Sequence, residues 1–486
     1  MLECAVIMKA VNILNFIKGY FNPKYILKKE EVLGELPQTR SALSQFFKVA
    51  WPSMLESLLI GLVAFIDTQM VSVLGIESVA AVGATNQPRM LFYAVFFAIN
   101  IGVTTIVSRR TGQKDMVGAK QCLAQSLSLT VTLGVILCTI AVLTAKPLVL
   151  LAGADKGIAD ESALYFRITM IGMLFTSIGM TVNAAHRGTG RTRIAMVTNI
   201  TANLVNCLFN FLLIQGRFGF PEWGIKGAAV ATLLGNFVSC VMSLWTVFIS
   251  KDSLLRIKIK DCLIIRKDIL KLHASVSRNA AIEQLFLRFG FFLTALMVNR
   301  LGSASTATNT ICMNILTLSF CLGDGLGVAT SALVGMNLGK KRKDLSLMFG
   351  SLGQRVGAIC SFLFMLLFFF GGTLMVQWFI PENDPDGEFV MNAAKYIMII
   401  LAFTMPAQIS MVVYTGCLRG AGDTMFVAIS SLLSIAIIRP LFTYIFAYLC
   451  DFGVVGSYAA LLVDHYFRLF ICWLRFKGGK WSKIEI

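Results

Sequence analysis

Apolar residues in this chain fall into blocks longer than a soluble helix requires. Twelve such blocks lie near 50–73, 88–108, 121–145, 162–185, 194–216, 225–249, 279–300, 306–336, 350–379, 390–416, 425–450 and 453–475. About 20 apolar residues let an α-helix cross the hydrocarbon of a bilayer. The pattern therefore predicts twelve membrane-spanning helices, and the fold class expected is an all-α polytopic membrane protein. The blocks come in two rounds of six that resemble each other. Glu56, Leu58, Phe65, Met70, Val71, Leu74, Gly75, Ser78 and Ala80 recur as Glu283, Leu285, Phe292, Met297, Val298, Leu301, Gly302, Ser305 and Ala307, at an ungapped offset of 227 (283 − 56). Arg187, Gly188, Gly190 and Thr192 recur as Arg419, Gly420, Gly422 and Thr424, at an offset of 232 (419 − 187). Duplication of this kind implies two homologous six-helix lobes that move against each other around a site between them, the layout of a transporter. The expected divisions are a cytoplasmic or interfacial arm (1–45), a first lobe (46–250), a cytoplasmic linker (251–278), a second lobe (279–476) and a cytoplasmic tail (477–486).

Composition agrees with a membrane chain. Hydrophobic residues make up 56% and charged residues only 14%, with a mean hydropathy of +0.75. Soluble domains carry about 25% charged residues. The net charge of +17 raises the question of nucleic acid, and the placement of the charge answers it. Arg109, Arg110, Lys114 and Lys120 follow the second block, whereas the next loop is acid-rich with Asp155, Asp160 and Glu161. Lys340, Lys341, Arg342 and Lys343 face the acidic Glu382, Asp384, Asp386 and Glu388 in the same way. Lys and Arg thus occupy every second loop, the middle linker and both tails. By the positive-inside rule both termini and the linker are cytoplasmic, and the location expected is the cell (plasma) membrane. No nucleic acid partner is needed. Residues 1 to about 45 are broken up by Lys9, Lys18 and Lys24 and do not form a signal peptide. Twelve cysteines show no C-x-x-C spacing and sit mostly in apolar blocks, so neither a disulfide framework nor a zinc site is expected.

Ionisable groups inside spanning segments cost about 2.5–3.5 kcal/mol each at a helix centre, so they are the first candidates for function. Asp67 lies eight residues before Gly75, about 12 Å from the outer end of helix 1, with no basic residue within a turn of that helix. A carboxyl at that depth can bind and release a proton, or hold Na⁺ when ionised. On helix 5, Asn199, Asn203, Asn206 and Asn210 keep within about 60° of arc, a single polar stripe. Asn210 and Thr232 of helix 6 fall at about the depth of Asp67, with Asn206 one turn below. Two readings stay open for this stripe: an ion or proton pocket, and plain hydrogen bonding between helices. In the second lobe Arg288, Asp324, Arg439, Asp464 and Arg468 all fall in apolar blocks. Asp464 and Arg468 have the i, i+4 spacing of a pair along one helix. Asp324 sits in Gly323-Asp324-Gly325-Leu326-Gly327, where a helix break is expected, and Arg439 precedes Pro440, an expected kink. A buried structural network and a substrate or gating role are both open for Arg288, Asp324 and Arg439. Glu56 and Glu283, near the cytoplasmic ends of equivalent helices, are expected to pair with Lys or Arg.

Gly188-Thr189-Gly190-Arg191-Thr192 and Gly420-Ala421-Gly422-Asp423-Thr424 resemble phosphate loops only superficially. They lack the preceding strand, and helix-ending glycines account for them better. The chain has no Walker sequence, and His186, His273 and His465 stand in no recognisable catalytic arrangement. The reading is of a chain that is not an enzyme, with no catalytic residues, no resident metal and no cofactor. The 22 Met and 37 Phe suit a cavity for varied apolar ligands, although lipid-facing packing explains most of them.

Taken in serial order, these residues resemble the multidrug and toxic compound extrusion (MATE) transporters. The likeness runs over roughly 45–480. It rests on Pro52, Asp67-Thr68 and Leu74-Gly75, the Arg-Gly-x-Gly-x-Thr turns in both halves, and Asn206 and Asn210 followed by Leu213-Ile214. It continues with Gly227-Ala228-Ala229-x-Ala231-Thr232, Val334-Gly335 with Leu338-Gly339, Arg439-Pro440, and Arg475-Phe476-x-x-Gly479-Lys480-Trp481. The resemblance implies two six-helix lobes around a V-shaped cavity, with export driven by H⁺ or Na⁺. It is closer to the DinF type, in which a helix-1 aspartate couples the ion together with polar groups of helices 5 and 6. That carries over to Asp67, Asn206, Asn210 and Thr232, and Pro52 matches a proline associated with bending of helix 1. The chain departs from many relatives in having Asn210 where they have an aspartate. Helix 10 has no carboxylate, so the NorM-type cation site is not carried over. The function expected is H⁺- or Na⁺-coupled antiport of amphipathic or cationic organic compounds by alternating access, carried out by a monomer in the lipid bilayer. The rivals are a lipid-linked oligosaccharide or lipid flippase, which would use the intramembrane arginines, and a membrane-embedded enzyme.

Overall fold

A computed structural model describes residues 19–74, 76–152, 157–251, 253–380 and 387–484; the expectations for residues 1–18 lie outside this range. Twelve helices among the described residues are long and apolar enough to cross a membrane. They are α1 (Thr39–Ser72), α2 (Ile76–Gly112), α3 (Met116–Leu143), α4 (Ala159–Gly188), α5 (Thr192–Leu213) and α6 (Gly224–Phe248). The second round comprises α7 (Lys267–Asn299), α8 (Ser303–Gly339), α9 (Lys343–Gln377), α10 (Gly387–Gly420), α11 (Thr424–Leu449) and α12 (Gly453–Lys477). Several helices outrun their apolar blocks. Helix α1 begins inside the stretch read as an arm up to residue 45, and α7 takes up part of the linker read as 251–278. Hydropathy marks only the lipid-facing length, whereas good helix formers such as Ala, Leu and Lys continue the backbone ladder beyond it.

Each lobe has its own core. Phe96, Phe166, Met170 and Met173 lie at the centre of the first, and Phe368, Ile397, Leu401 and Met405 at the centre of the second. Helix α1 belongs to both. Phe46, Val49 and Ala50 on its first turns pack with Leu326, Val334, Phe349 and Leu352 of the second lobe. Val71, at its other end, packs with Tyr165, Ile214 and Ala229 of the first. Buried Pro52 lies between these two sets of contacts.

Near the ends of the helices that carry the chain termini, the lobes meet backbone to backbone. A Cβ on Gly112 would lie 1.9 Å from Met336 O, and one on Gly339 would lie 2.2 Å from Arg109 O. Thr105 Oγ1 donates to Arg419 O (2.9 Å), and Arg109 Nη2 donates to Ala421 O (3.2 Å) and Ile484 O (2.8 Å). The tail is held in turn by Trp481, which is fully buried, stacks on Phe476 at 5.0 Å and donates to Phe476 O (2.7 Å). The arm docks on the second lobe. Phe21 and Leu27 join its core, Leu33 N donates to Asp344 Oδ2 (3.2 Å), and Arg342 donates to Glu35 O (3.0 Å). The linker is tied to α3, where Gln125 donates to Ile264 O (2.5 Å) and accepts from Arg266 N (3.0 Å).

One local expectation is corrected. Helix α8 runs unbroken through Gly323–Gly327. There the glycines serve close packing, since a Cβ on Gly325 would lie 2.5 Å from Met54 Cα. Around Arg439-Pro440, α11 changes to π-helix over Leu432–Ile438 and again over Ile445–Leu449. Proline offers no N–H and crowds the carbonyl four residues back, and a wider turn accommodates both effects. The two Arg-Gly-x-Gly turns are helix ends, as the glycines suggested. Gly190 and Gly422 adopt φ of +77° and +86°, and their N–H groups donate to Arg187 O and Arg419 O, both at 2.9 Å.

Candidate functional site

Asp67 lies five residues before the end of α1, about 8 Å from it along the helix. Its carboxylate turns toward α5 and α6. Asn210 Nδ2 donates to Asp67 Oδ1 at 2.8 Å. Asn206 sits one turn below. If its amide oxygen faced the carboxylate, two acceptors would meet. With the nitrogen turned to Asp67 it donates to Oδ1 (2.8 Å) and Oδ2 (3.0 Å), while its oxygen accepts from Thr232 Oγ1 (3.3 Å) and Thr232 N (3.1 Å). The single Thr232 hydroxyl proton is shared between this oxygen and Ala228 O, which lies at 3.0 Å. The structure thus brings Asp67, Asn206, Asn210 and Thr232 into one hydrogen-bonded cluster. Among the described residues, no Lys or Arg nitrogen lies within ion-pair distance of Asp67. A cavity of about 190 Å³ runs from Asn210 past Met70, Val73 and Ile214 to Gln215 and Arg217 at the end of the lobe far from the termini.

Two residues beside this cluster were missed in the sequence. Arg89 of α2 is near enough to pull electrostatically on Asp67, and buried Tyr165 of α4 stands beside Arg89 and Thr232. Arg89 is separated from Asp67 by the chain reversal between α1 and α2, so only the folded hairpin brings it close.

The asparagine stripe divides between two networks. Asn206 and Asn210 serve Asp67. Asn199 Nδ2 instead donates to Glu56 Oε1 (2.5 Å), and its own oxygen accepts from Asn183 (3.3 Å). Asn203, half-buried between them on α5, makes no hydrogen bond to the described side chains. Glu56 is also bonded by Arg187. The second lobe repeats this joint: Glu283 accepts from Arg419 (2.5 Å) and Ser431 (3.4 Å), with Arg468 at 3.5 Å. Glu56 with Arg187 and Glu283 with Arg419 are related by the internal repeat. Asn199 likewise corresponds to Ser431 at the offset of 232 (431 − 199). Both carboxylates pair with arginine as expected.

The other charges of the second lobe do not pair as their spacing suggested. Asp464 is held by Arg439, whose Nε donates at 2.8 Å, and by Ser434; Arg468 bonds Ser431 Oγ at 2.7 Å and faces Glu283. An i, i+4 contact contributes only about 0.2–0.5 kcal/mol. A buried carboxylate gains more from a guanidinium that also fills its remaining lone pairs. Arg439 also lies over the Phe291 ring, 5.0 Å from its centre. Asp324 is exposed to a cavity of about 310 Å³ that Arg419, Arg439, Asp464 and Arg468 also line. Arg288 lines a neighbouring cavity of about 330 Å³. No group of three or more His, Cys, Asp or Glu among the described residues could hold a metal.

Comparison with known proteins agrees with the duplicated architecture. The family model described as MatE matches residues 52–212 and 280–445, one stretch in each lobe. A protein of Thermotoga maritima described as a probable multidrug resistance protein NorM is 28% identical over 466 residues, covering 95% of this chain and 96% of its own. An uncharacterized transporter of Bacillus subtilis, YisQ, is 23% identical over 441 residues, covering 90% and 94%. Among solved structures, a MOP superfamily transporter from Pyrococcus furiosus superposes with a TM-score of 0.83 at 20% identity, over 90% of this chain and 95% of that one. An outward-facing multidrug resistance MATE family transporter does so with a TM-score of 0.83 at 20% identity, over 90% and 97%. With both halves of the chain matched by the family model, the protein belongs to the MatE family of multidrug efflux transporters, and is a multi-pass membrane transporter rather than an enzyme.

Proposed function

We propose that this transporter is an antiporter that exports amphipathic or cationic organic compounds against an inward flow of H⁺ or Na⁺, and that Asp67 carries the coupling ion. The supporting observation is the setting of Asp67: an intramembrane carboxylate held by amide donors from Asn206 and Asn210, with Arg89 in its neighbourhood and, among the described residues, no cation within ion-pair distance. In its ionised form the carboxylate accepts those N–H groups and has lone pairs left for Na⁺. When protonated it becomes a donor, and one amide must turn or withdraw. Either ligand changes how α1 packs on α5 and α6. The ion drives transport only insofar as it binds the outward-open and inward-open states unequally. The placement of Asp67 on α1, with its partners on α5 and α6, favours the DinF type over the NorM type. Both termini face the cytoplasm of a cell whose plasma membrane holds the protein as a monomer.

The test is Asp67→Asn, which keeps the shape and removes the charge. In inside-out vesicles the variant should lose ion-driven efflux by about tenfold or more while eluting as a folded protein. Separate H⁺ and Na⁺ gradients identify the ion. Full gradient-driven transport by Asp67→Asn would remove this residue from the mechanism.

A further inference from the structure

The cavity beside Arg288 has a polarity opposite to that of the Asp67 site. It lies between the lobes, for Gln87 of α2 lines it together with residues of α7, α8, α11 and α12. No carboxylate lines it, while two guanidinium groups do. Arg439 is already neutralised by Asp464. Arg288 is not: it is half-buried, its Nε is closed off from solvent with no acceptor, and among the described residues it has no hydrogen bond or ion pair. The hydroxyls of Thr294, Ser457 and Tyr458 on the wall give their protons to Gly290 O, Val454 O and Asn309, and two amides add N–H donors to the guanidinium groups. The Asn309 oxygen is occupied by the Tyr458 hydroxyl (3.1 Å), which leaves its amide NH₂ to donate, and the Gln87 amide is exposed. The rest of the wall is apolar, with Val298 and Met313 among its members. An unpaired cation inside a membrane lobe is costly unless something answers it, and a guanidinium fork fits a carboxylate or phosphate through two N–H bonds.

We propose that this cavity is a binding site for the anionic head, a carboxylate or phosphate, of an amphipathic molecule, with Arg288 as its counter-ion and the apolar wall taking the chain. The site is distinct from Asp67 and does not depend on the antiport reading.

The experiment uses the full chain in non-ionic detergent and decyl phosphate as probe, measured by calorimetry against protein-free micelles, with decyltrimethylammonium as the cationic control. Decyl phosphate should bind in one saturable event. Arg288→Gln should weaken it about 30-fold or more, and Arg288→Lys, which keeps the charge but loses the forked pair of N–H bonds, should fall between wild type and the Gln variant. Lys146→Gln, which removes an exposed charge outside the cavity, should leave it unchanged. In nanodiscs, displacement of decyl phosphate by phosphatidylglycerol but not by phosphatidylcholine assigns the site to a lipid head group. Absence of displacement assigns it to a soluble amphipathic anion, and either result upholds the site. Equal binding by wild type and Arg288→Gln overturns the proposal. So does equal loss in the Gln and Lys variants, or tighter binding of decyltrimethylammonium than of decyl phosphate.

Discussion

The backbone contact between the lobes makes a quantitative demand on Gly339→Ala. The new Cβ would stand 2.2 Å from Arg109 O and 3.0 Å from Gly112 Cα, both main-chain atoms of the opposite lobe. Ordinary contact requires the two helices to part by about 1 Å. Overpacking of this kind costs about 1–3 kcal/mol. Gly339 is the last residue of α8, so the helix gains less from Ala than the roughly 1 kcal/mol of an interior position. The penalty therefore falls on the conformer whose lobes touch at the termini face and vanishes when they separate. A differential of 1–3 kcal/mol shifts the ratio of the two states by about 5- to 150-fold, enough to raise a minor population to one that can be measured. Spin labels at Arg193 on α5 and Met425 on α11, both exposed at that face, report the separation by double electron–electron resonance. The distance distribution should gain a longer component in Gly339→Ala, and again in Gly112→Ala, whose Cβ meets Met336 O at 1.9 Å. An unchanged distribution in both variants, with the protein folded, would refute the idea that this glycine contact holds the termini face shut.

Three further outcomes follow from the same structure. Glu283→Gln should cost about 3–5 kcal/mol, because it strands the buried Arg468 together with Arg419; Glu56→Gln should cost less, since it strands Arg187 alone and that guanidinium is partly exposed, and thermal unfolding in detergent ranks the two. Trp481→Ala should cost about 3–5 kcal/mol through loss of its buried packing against Phe476, and should free the tail from Arg109, read as faster proteolysis at the C-terminus. In single-cysteine variants a membrane-impermeant maleimide applied to whole cells should label exposed Cys450 and not Cys262 of the linker. Burial pushes the Cys262 thiol up from its ordinary range, so after permeabilisation it should label slowly at neutral pH and faster as pH rises.

The sequence made the twelve helices legible because a spanning helix is specified by local composition. The same holds for the Asp67 cluster, where one carboxyl in an apolar block and a stripe of amides at helical spacing can be found without knowing the fold. Partners that depend on how helices lie against each other were not legible. Asp464 was matched to Arg468 by spacing along α12, but its partner is Arg439, carried toward it by a helix with π turns. Arg89 drew no role from the sequence, because only the hairpin of α1 and α2 places it near Asp67. The docking of residues 19–38 on the second lobe left no trace beyond a mixed polar and apolar pattern, since such a pattern says a face is buried and not against what.

Helix α1 is rooted in one half of the molecule and crowned in the other. A hinge confined to the 249–266 connector would tear Phe46 and Val49 from their neighbours as the halves swung apart, so the rod itself must yield. Pro52 marks the weak rung, for it has no N–H to answer the carbonyl of Lys48. On the proposed coupling at Asp67, a charge bound or lost near the crown would work on a beam whose root is already clamped across the cleft, and leverage would replace a relay of side chains between the two ends.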